Sequence, residues 1–268
     1  MGRLRLYVSI VAILLSVFWR PADGQTVETG FLNRSVNVDG VEFRYQVYVP
    51  ASYQRSTSWP VILALHGGGD YGGDGLKQTD GGIARAIRQH QELFPAIVVI
   101  PQSKADGTPG WQRAGGRAAM AALDRAIAEF NGDRRRLYLT GLSAGGNGAW
   151  YLASQNPDRF AALVVVCGWI SERKGNTSGV AYPALALPGT ADSFAAIAAR
   201  VSKVPIWIFH GGADRNVSVD ESRRMAAALK TLGADVHYTE FPGVDHNAWD
   251  PAYAREDLWV WLLRQSKR

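Results

Sequence analysis

Between residues 137 and 154 the chain is forced into an abrupt change of direction. Residues 137–139, Leu137-Tyr138-Leu139, have the look of a short apolar strand. Gly141-Leu142-Ser143-Ala144-Gly145 follows, and residues 147–154 form a helix-favouring run. A strand that gives way to a helix across Gly-x-Ser-x-Gly holds the serine in strained backbone geometry. Its hydroxyl is then displayed at the carboxyl end of the strand and the start of the helix. Side chains at Gly141 or Gly145 would collide with the neighbouring strand and helix. The positive end of the helix macrodipole favours negative charge developing near Ser143. The fold must therefore contain a strand–turn–helix unit, and Ser143 is a candidate nucleophile.

The rest of the chain supplies the surroundings such a unit needs. Residues 41–49 carry apolar side chains at odd positions, as a half-buried antiparallel strand would. Residues 61–65, 97–100, 137–139, 162–167 and 204–209 are instead continuous apolar runs, the pattern of parallel strands covered on both faces. Helical periodicity occupies residues 117–130, 147–154, 222–232 and 252–263 between or after them. Alternating strands and helices of this kind predict an α/β fold, a three-layer α/β/α sandwich around a mostly parallel sheet. No repeat or linker divides it, so residues 25–268 are expected to form one domain. Residues 170–200 are long for a connection and are expected to contribute a small cap over the site.

Residues 1–24 have the form of a secretory signal peptide. Arg3 and Arg5 precede an apolar stretch, and Ala22-Asp23-Gly24 offers a small-x-small cleavage site. The apolar stretch falls short of the roughly 20 residues that span a bilayer, so no stable membrane span is expected. Removing Arg3, Arg5, Arg20 and Asp23 lowers the formal charge from +5 to +3. That excess is dispersed, and no basic stripe interleaved with aromatics points to nucleic acid. The single cysteine, Cys167, lies in an apolar run and reads as a small buried hydrophobe. No Cys/His cluster suggests a metal site, and export argues against a nicotinamide cofactor.

A nucleophilic serine needs a base, an orienting acid and an oxyanion hole. The chain has five histidines. His237 alternates within a strand-like run and His90 lies in a polar segment. His66 and His210 end apolar strands before glycines, where they shape turns. His246, in Pro242-Gly243-Val244-Asp245-His246-Asn247, sits between the last strand and the last helix, where this architecture delivers its base. Asp214, a few residues beyond residues 204–209, reaches the same sheet edge as Ser143. Asp220 reads as a helix N-cap or first-turn acid, and Asp245 is too near His246 in sequence to hold its ring. The oxyanion hole is expected to use the N–H of Ala144 and one from Leu65-His66-Gly67-Gly68-Gly69, with Gly68 preferred and Gly69 second. Trp111, Trp169 and Trp249 leave the carboxyl ends of strands, where open α/β sheets bind ligands, and are candidates to line a pocket for an apolar or ring-shaped acyl or sugar group, with core packing as the alternative for each.

Two rival motifs fail on context. Gly67-Gly68-Gly69-Asp70-Tyr71-Gly72 satisfies G-x-G-x-x-G, but residues 70–82 are dense in glycine and polar residues and begin no amphipathic helix. The acid at the required distance, Glu92, precedes the next strand instead of ending it. Asp70 and Asp74 lack the terminal bidentate Glu of a calcium loop and read as turn residues.

Ser143, Asp214 and His246 run in the Ser…Asp…His chain order of α/β-hydrolases. With Leu65-His66-Gly67-Gly68-Gly69, Gly141-Leu142-Ser143-Ala144-Gly145-Gly146, His210-Gly211-x-x-Asp214, Gly243-x-x-His246-Asn247-x-Trp249 and Asn156-Pro157-Asp158-Arg159-Phe160 in register, the chain resembles secreted members of that group. It is most similar to the branch holding feruloyl and acetyl-xylan esterases, poly(hydroxyalkanoate) depolymerases and predicted secreted peptidases, over residues 40–265. The resemblance implies a Ser-His-Asp hydrolase of carboxylic esters without cofactor, acting on a small-molecule or polymer-linked ester. A serine peptidase with the same triad and a non-catalytic binding protein on a hydrolase scaffold are the alternatives. Ester hydrolysis is favoured over peptide cleavage because no propeller-like gating segment is visible. Oligomeric state leaves no signature.

Overall fold

The computed structural model describes residues 28–104, 110–174, 181–182, 184–185 and 190–267; the stretch read as a signal peptide lies outside them. Ten strands and seven α-helices alternate along the described chain. The strands are β1 (Gly30–Val38), β2 (Val41–Val49), β3 (Trp59–Leu65), β4 (Ile97–Pro101), β5 (Gly132–Leu142), β6 (Ala162–Val166), β7 (Arg173–Lys174), β8 (Ala181–Tyr182), β9 (Ile206–Gly211) and β10 (Val236–Phe241). The helices are α1 (Gly82–Gln89), α2 (Ala114–Glu129), α3 (Ala144–Gln155), α4 (Ser193–Val201), α5 (Asp220–Thr231), α6 (Trp249–Tyr253) and α7 (Glu256–Arg264).

Eight strands form one sheet in the order β1-β2-β4-β3-β5-β6-β9-β10. β1 and β2 pair antiparallel, as do β2 and β4; β4, β3, β5, β6, β9 and β10 are all parallel. The continuous apolar runs are buried on both faces, as expected. In β3, Val61, Leu63 and Leu65 face one core while Ile62 and Ala64 face the other; Leu163 and Val165 of β6 alternate with Val164 and Val166 in the same way. The first core is closed by α2, α3, α4 and α5, through side chains such as Leu123, Trp150, Ile197 and Met225. The second is closed by α1, α6 and α7, through Ile87, Tyr253 and Trp259. This is the α/β-hydrolase arrangement, and it sends the loops after β3, β5, β6, β9 and β10 to one edge of the sheet.

The structure departs from the sequence reading in several elements, among them α1, α4 and the start of β5 at Gly132, none of which the apolar pattern marks. β1 was not anticipated: its nine residues include Asn33, Arg34, Ser35 and Asn37, and only pairing with β2 makes them a strand. β2 alternates only at its start, since every residue from Tyr45 to Val49 is buried where it is flanked by β1 and β4. The single helix expected over residues 252–263 is two. Arg255 is extended at φ −79° and ψ 121°, and its side chain clasps Asp257 in the first turn of α7 (3.0 and 2.5 Å). Of the stretch expected to form a cap, residues 175–180, 183 and 186–189 lie outside the described residues. Within it β7 and β8 pair as a separate two-stranded sheet, whereas α4 belongs to the helix layer on the first core.

Candidate active site

The turn between β5 and α3 has the strain the motif requires. Ser143 stands at φ 52° and ψ −117°, in the left-handed half of backbone space that a side chain rarely occupies. A Cβ added to Gly141 would lie 2.1 Å from Gly145 O, and one added to Gly145 would lie 2.1 Å from Leu65 O. Both contacts are with backbone, so the tight turn exists only with glycine at these two positions. Ser143 N–H donates to Val166 O at 2.8 Å, which ties the elbow to the neighbouring strand β6.

Three side chains from three loops meet at this point. Ser143 Oγ is 2.8 Å from His246 Nε2, and His246 Nδ1 is 2.7 Å from Asp214 Oδ2. The Asp214 side chain has no solvent exposure and that of His246 has 17%. Burial alone would raise the pKa of Asp214. Hydrogen bonds from His210, His246 and the Val217 N–H outweigh it and hold the carboxyl well below the usual carboxylate range. Asp214 also performs the ordinary task of a loop aspartate: its Oδ1 accepts the N–H groups of Asn216 and Val217, both at 2.8 Å. One oxygen fixes the turn, and the other faces the two imidazoles of His246 and His210.

The sequence reading missed the residues behind this acid. His210, fully buried at the end of β9, places Nε2 3.2 Å from Asp214 Oδ2 and 3.1 Å from Val217 O. With two oxygens facing it, Nε2 carries the proton, and Nδ1 is left to accept from Ser222 Oγ at 2.7 Å. The signal available was a histidine four residues before an aspartate at a strand end. Asp220 falls in the first turn of α5, as expected of an acid there. Cys167 directly follows β6 at φ 50°, with its Sγ 3.4 Å from His246 O. Its sulfur, an Asp214 oxygen and a His246 nitrogen lie within 4.8 Å of one another. Burial pushes the thiol up to about 12, so this donor set is the hydrogen-bonded Asp214–His246 pair resting on a protonated thiol.

The glycine-rich loop after β3 stands opposite the elbow. Gly68 and Gly69 open a 3-10 turn ending at Asp70, and Ala144 opens α3, so none of these three N–H groups has a partner within its own helix. A Cβ on Gly67 would sit 3.5 Å from Ser143 Cβ, which measures how near this loop comes to the serine. His66 anchors the loop: its Nε2 accepts from Ser103 N–H at 3.0 Å, so Nδ1 carries the proton and donates to Gly67 O at 2.7 Å. Burial pushes this imidazole down to about 4. Asp74 Oδ1 accepts the N–H groups of Leu76 and Lys77, the turn role expected of it.

The three tryptophans have separate fates. Trp111 is 1% exposed; its ring meets His66 edge-on at a centroid distance of 4.8 Å, and its indole N–H donates to His66 O at 3.2 Å. It packs behind the glycine loop and does not face the serine as a pocket wall would. Trp169 is also buried, clustered with Ala144, Val217 and Tyr71, with the Arg173 guanidinium 4.6 Å from its ring. Trp249 is half-buried and stands perpendicular to the His246 ring, 5.3 Å between centroids. Tyr71 and Val217 were not foreseen beside the elbow.

Fold and site together define the α/β-hydrolase class, with a serine, a histidine and an aspartate in hydrogen-bonded series at the sheet edge. The chain belongs to the prolyl oligopeptidase family, whose profile matches residues 110–267. An uncharacterised secreted protein of Arthroderma benhamiae is 27% identical over 208 residues, 72% of this chain, and the chain spans 22% of that relative's length. Among solved structures, a thermostable esterase superposes with a TM-score of 0.71 at 28% identity, over 88% of this chain and 63% of the other. A ferulic acid esterase from Anaeromyces mucronatus, in complex with ferulic acid, superposes at 0.65 over 91% of this chain and 93% of its own. At 17% identity that second likeness concerns the fold alone. Among the described residues no helix is long and apolar enough to cross a membrane.

Proposed function

We propose that the chain is an exported serine esterase whose single catalytic domain begins near residue 25. The observation that carries the reading is the unbroken chain of hydrogen bonds from Ser143 through His246 to Asp214, at 2.8 and 2.7 Å. His246 Nε2 takes the proton of Ser143 Oγ as that oxygen attacks the acyl carbon. Asp214 keeps the ring oriented and stabilises the imidazolium. The N–H groups of Ala144 and Gly68, with Gly69 as the alternative to Gly68, receive the oxyanion. His246 returns its proton to the departing alcohol, leaving an acyl-serine. Water, deprotonated by His246, then releases the carboxylic acid and restores Ser143. Trp249 offers an aromatic surface beside the base, suited to a ring-shaped acyl or sugar group.

An ester substrate is supported by the likeness to the thermostable esterase. Membership of the prolyl oligopeptidase family favours a second reading, in which the same relay cleaves peptide amides. A panel of p-nitrophenyl acetate, longer acyl esters, hydroxycinnamoyl esters of sugars and short peptide amides separates the two. Ester turnover is expected to exceed amide turnover, and Ser143→Ala to lose about 10⁴-fold or more of it. Undiminished hydrolysis by Ser143→Ala overturns the mechanism; preference for amides overturns the substrate class.

A further inference from the structure

Two residues flanking the proton relay are bound to each other. Arg215 follows Asp214 and Asp245 precedes His246. Asp245 Oδ1 accepts the backbone N–H groups of Arg215 at 2.9 Å and of His246 at 2.8 Å. Its Oδ2 accepts from Arg215 Nε at 2.7 Å and also meets Nη2 of the same guanidinium. One carboxylate therefore grips the main chain of both loops, immediately beside the acid on one and at the base on the other.

The two loops are fitted to each other along their length. Gly212 N–H donates to Phe241 O at 2.8 Å and Ala213 N–H to Val244 O at 2.9 Å, extending the β9–β10 pairing beyond the strands. A Cβ on Gly211 would lie 2.3 Å from Asp245 O and 2.4 Å from Val244 O, so only glycine admits the second loop this closely. Backbone bonds alone bring the loops together as far as Val244. Beyond it, the Asp214–His246 side-chain bond and the Asp245 carboxylate join them, and of the two Asp245 is the one that holds main chain on both sides.

We propose that Asp245 is a positioning residue for the hydrolysis: by holding both main chains it sets the reach of His246 Nε2 to Ser143, and the effect resides in Oδ1, not in the ion pair. The inference rests on the relay assigned under Proposed function. Two features of the geometry separate the arms. The Arg215 side chain is 87% exposed and that of Asp245 40%, and ion pairs in water at such sites contribute little. The Oδ1 arm, by contrast, joins two backbone groups whose relative position fixes the distance between base and nucleophile. Small displacements of reacting groups reduce rates by up to about 100-fold. The Arg215 N–H, the Arg215 guanidinium and the His246 N–H hold the Asp245 carboxyl below the usual carboxylate range, so it is ionised when the enzyme works at neutral pH.

The test compares the full chain with Asp245→Ala, Asp245→Asn and Arg215→Ala. Three readouts are taken: kcat and KM on p-nitrophenyl acetate, melting temperature, and amide hydrogen exchange at Arg215 and His246. Asp245→Ala is expected to lower kcat roughly 10- to 100-fold with KM within about 2-fold, and to speed exchange at both amides. Asparagine keeps an acceptor at Oδ1, so Asp245→Asn is expected to retain kcat within about 3-fold, as is Arg215→Ala. Wild-type kcat in Asp245→Ala overturns the proposal. So does an asparagine variant as poor as the alanine one, or losses of kcat that follow melting temperature across all three. Asp245→Val stands in if the alanine variant does not fold. Failure of the relay assignment shows separately, as wild-type protein that neither turns over esters nor reacts with a fluorophosphonate. In that event the exchange rates alone decide, and unchanged exchange in Asp245→Ala overturns the clamp.

Discussion

Acidification is expected to weaken the fold through His66, and the size of the loss follows from its surroundings. The ring is 4% exposed, lies edge-on to Trp111 and Tyr71, and spends both nitrogens on backbone partners, donating to Gly67 O and accepting from Ser103 N–H. A second proton would have to enter at Nε2, against the N–H already pointing there. Burial accordingly lowers the imidazole from 6.5 to about 4. The unfolded chain takes up this proton near 6.5 and the folded chain only near 4, so between those values the unfolded state binds more protons. Stability from this group is therefore complete above about pH 6.5 and declines as the pH falls toward about 4. A separation of about 2.5 units at about 1.36 kcal/mol each makes the loss about 3 kcal/mol. Guanidinium denaturation of wild type and His66→Gln, followed by tryptophan fluorescence from pH 7 to pH 4, isolates it. Glutamine can occupy both hydrogen bonds but does not titrate, and every other ionisable group, Asp214 included, is common to both proteins and cancels in the difference. The stability gap between them should shrink by about 3 kcal/mol over that range; a constant gap refutes the reasoning.

Two further outcomes test the elbow and what lies beneath it. Gly145→Ala places a methyl group against Leu65 O and His66 O, backbone atoms of a central strand and its exit, so a loss of about 3 kcal/mol is expected. A melting temperature lower by roughly 6–12 °C checks it, and an unchanged one contradicts the close approach. Cys167, fully buried with its thiol pushed up to about 12, should resist a disulfide-exchange reagent at pH 8 in native protein and react fully once unfolded; rapid labelling of native protein would count against the burial.

What the sequence made legible was local or strongly periodic. The strand, Gly-x-Ser-x-Gly and helix are consecutive, so their geometry could be read in one pass. The central strands announce themselves because burial on both faces makes their inner residues almost wholly apolar, with Thr140 of β5 and His210 of β9 as buried exceptions. β1 escaped because Asn33, Arg34, Ser35 and Asn37 break any apolar rhythm, and its strand character comes from a partner elsewhere in the chain. From the sequence Trp111 is a pocket candidate because it follows a strand end, with core packing as the alternative. Its actual place is set by Gly148 of α3, where a Cβ would lie 2.5 Å from that of the tryptophan, a contact that spacing cannot reveal. The sequence excludes Asp245 as the orienting acid because it is too near His246 to hold the ring of its neighbour. That argument holds for the ring, but not for the main-chain N–H of His246 or for a loop thirty residues away.

The order of strands has a temporal consequence for a chain made from its amino end. β5, which presents Ser143, lies in mid-sheet, whereas β9 and β10, which bring Asp214 and His246, are added at one edge and come last in the sequence. A growing polypeptide therefore carries its serine for a hundred residues with nothing to draw off the hydroxyl proton. Under the reading proposed for this relay, acyl transfer switches on only when the final strand has been laid down, and every earlier stage of synthesis is chemically silent.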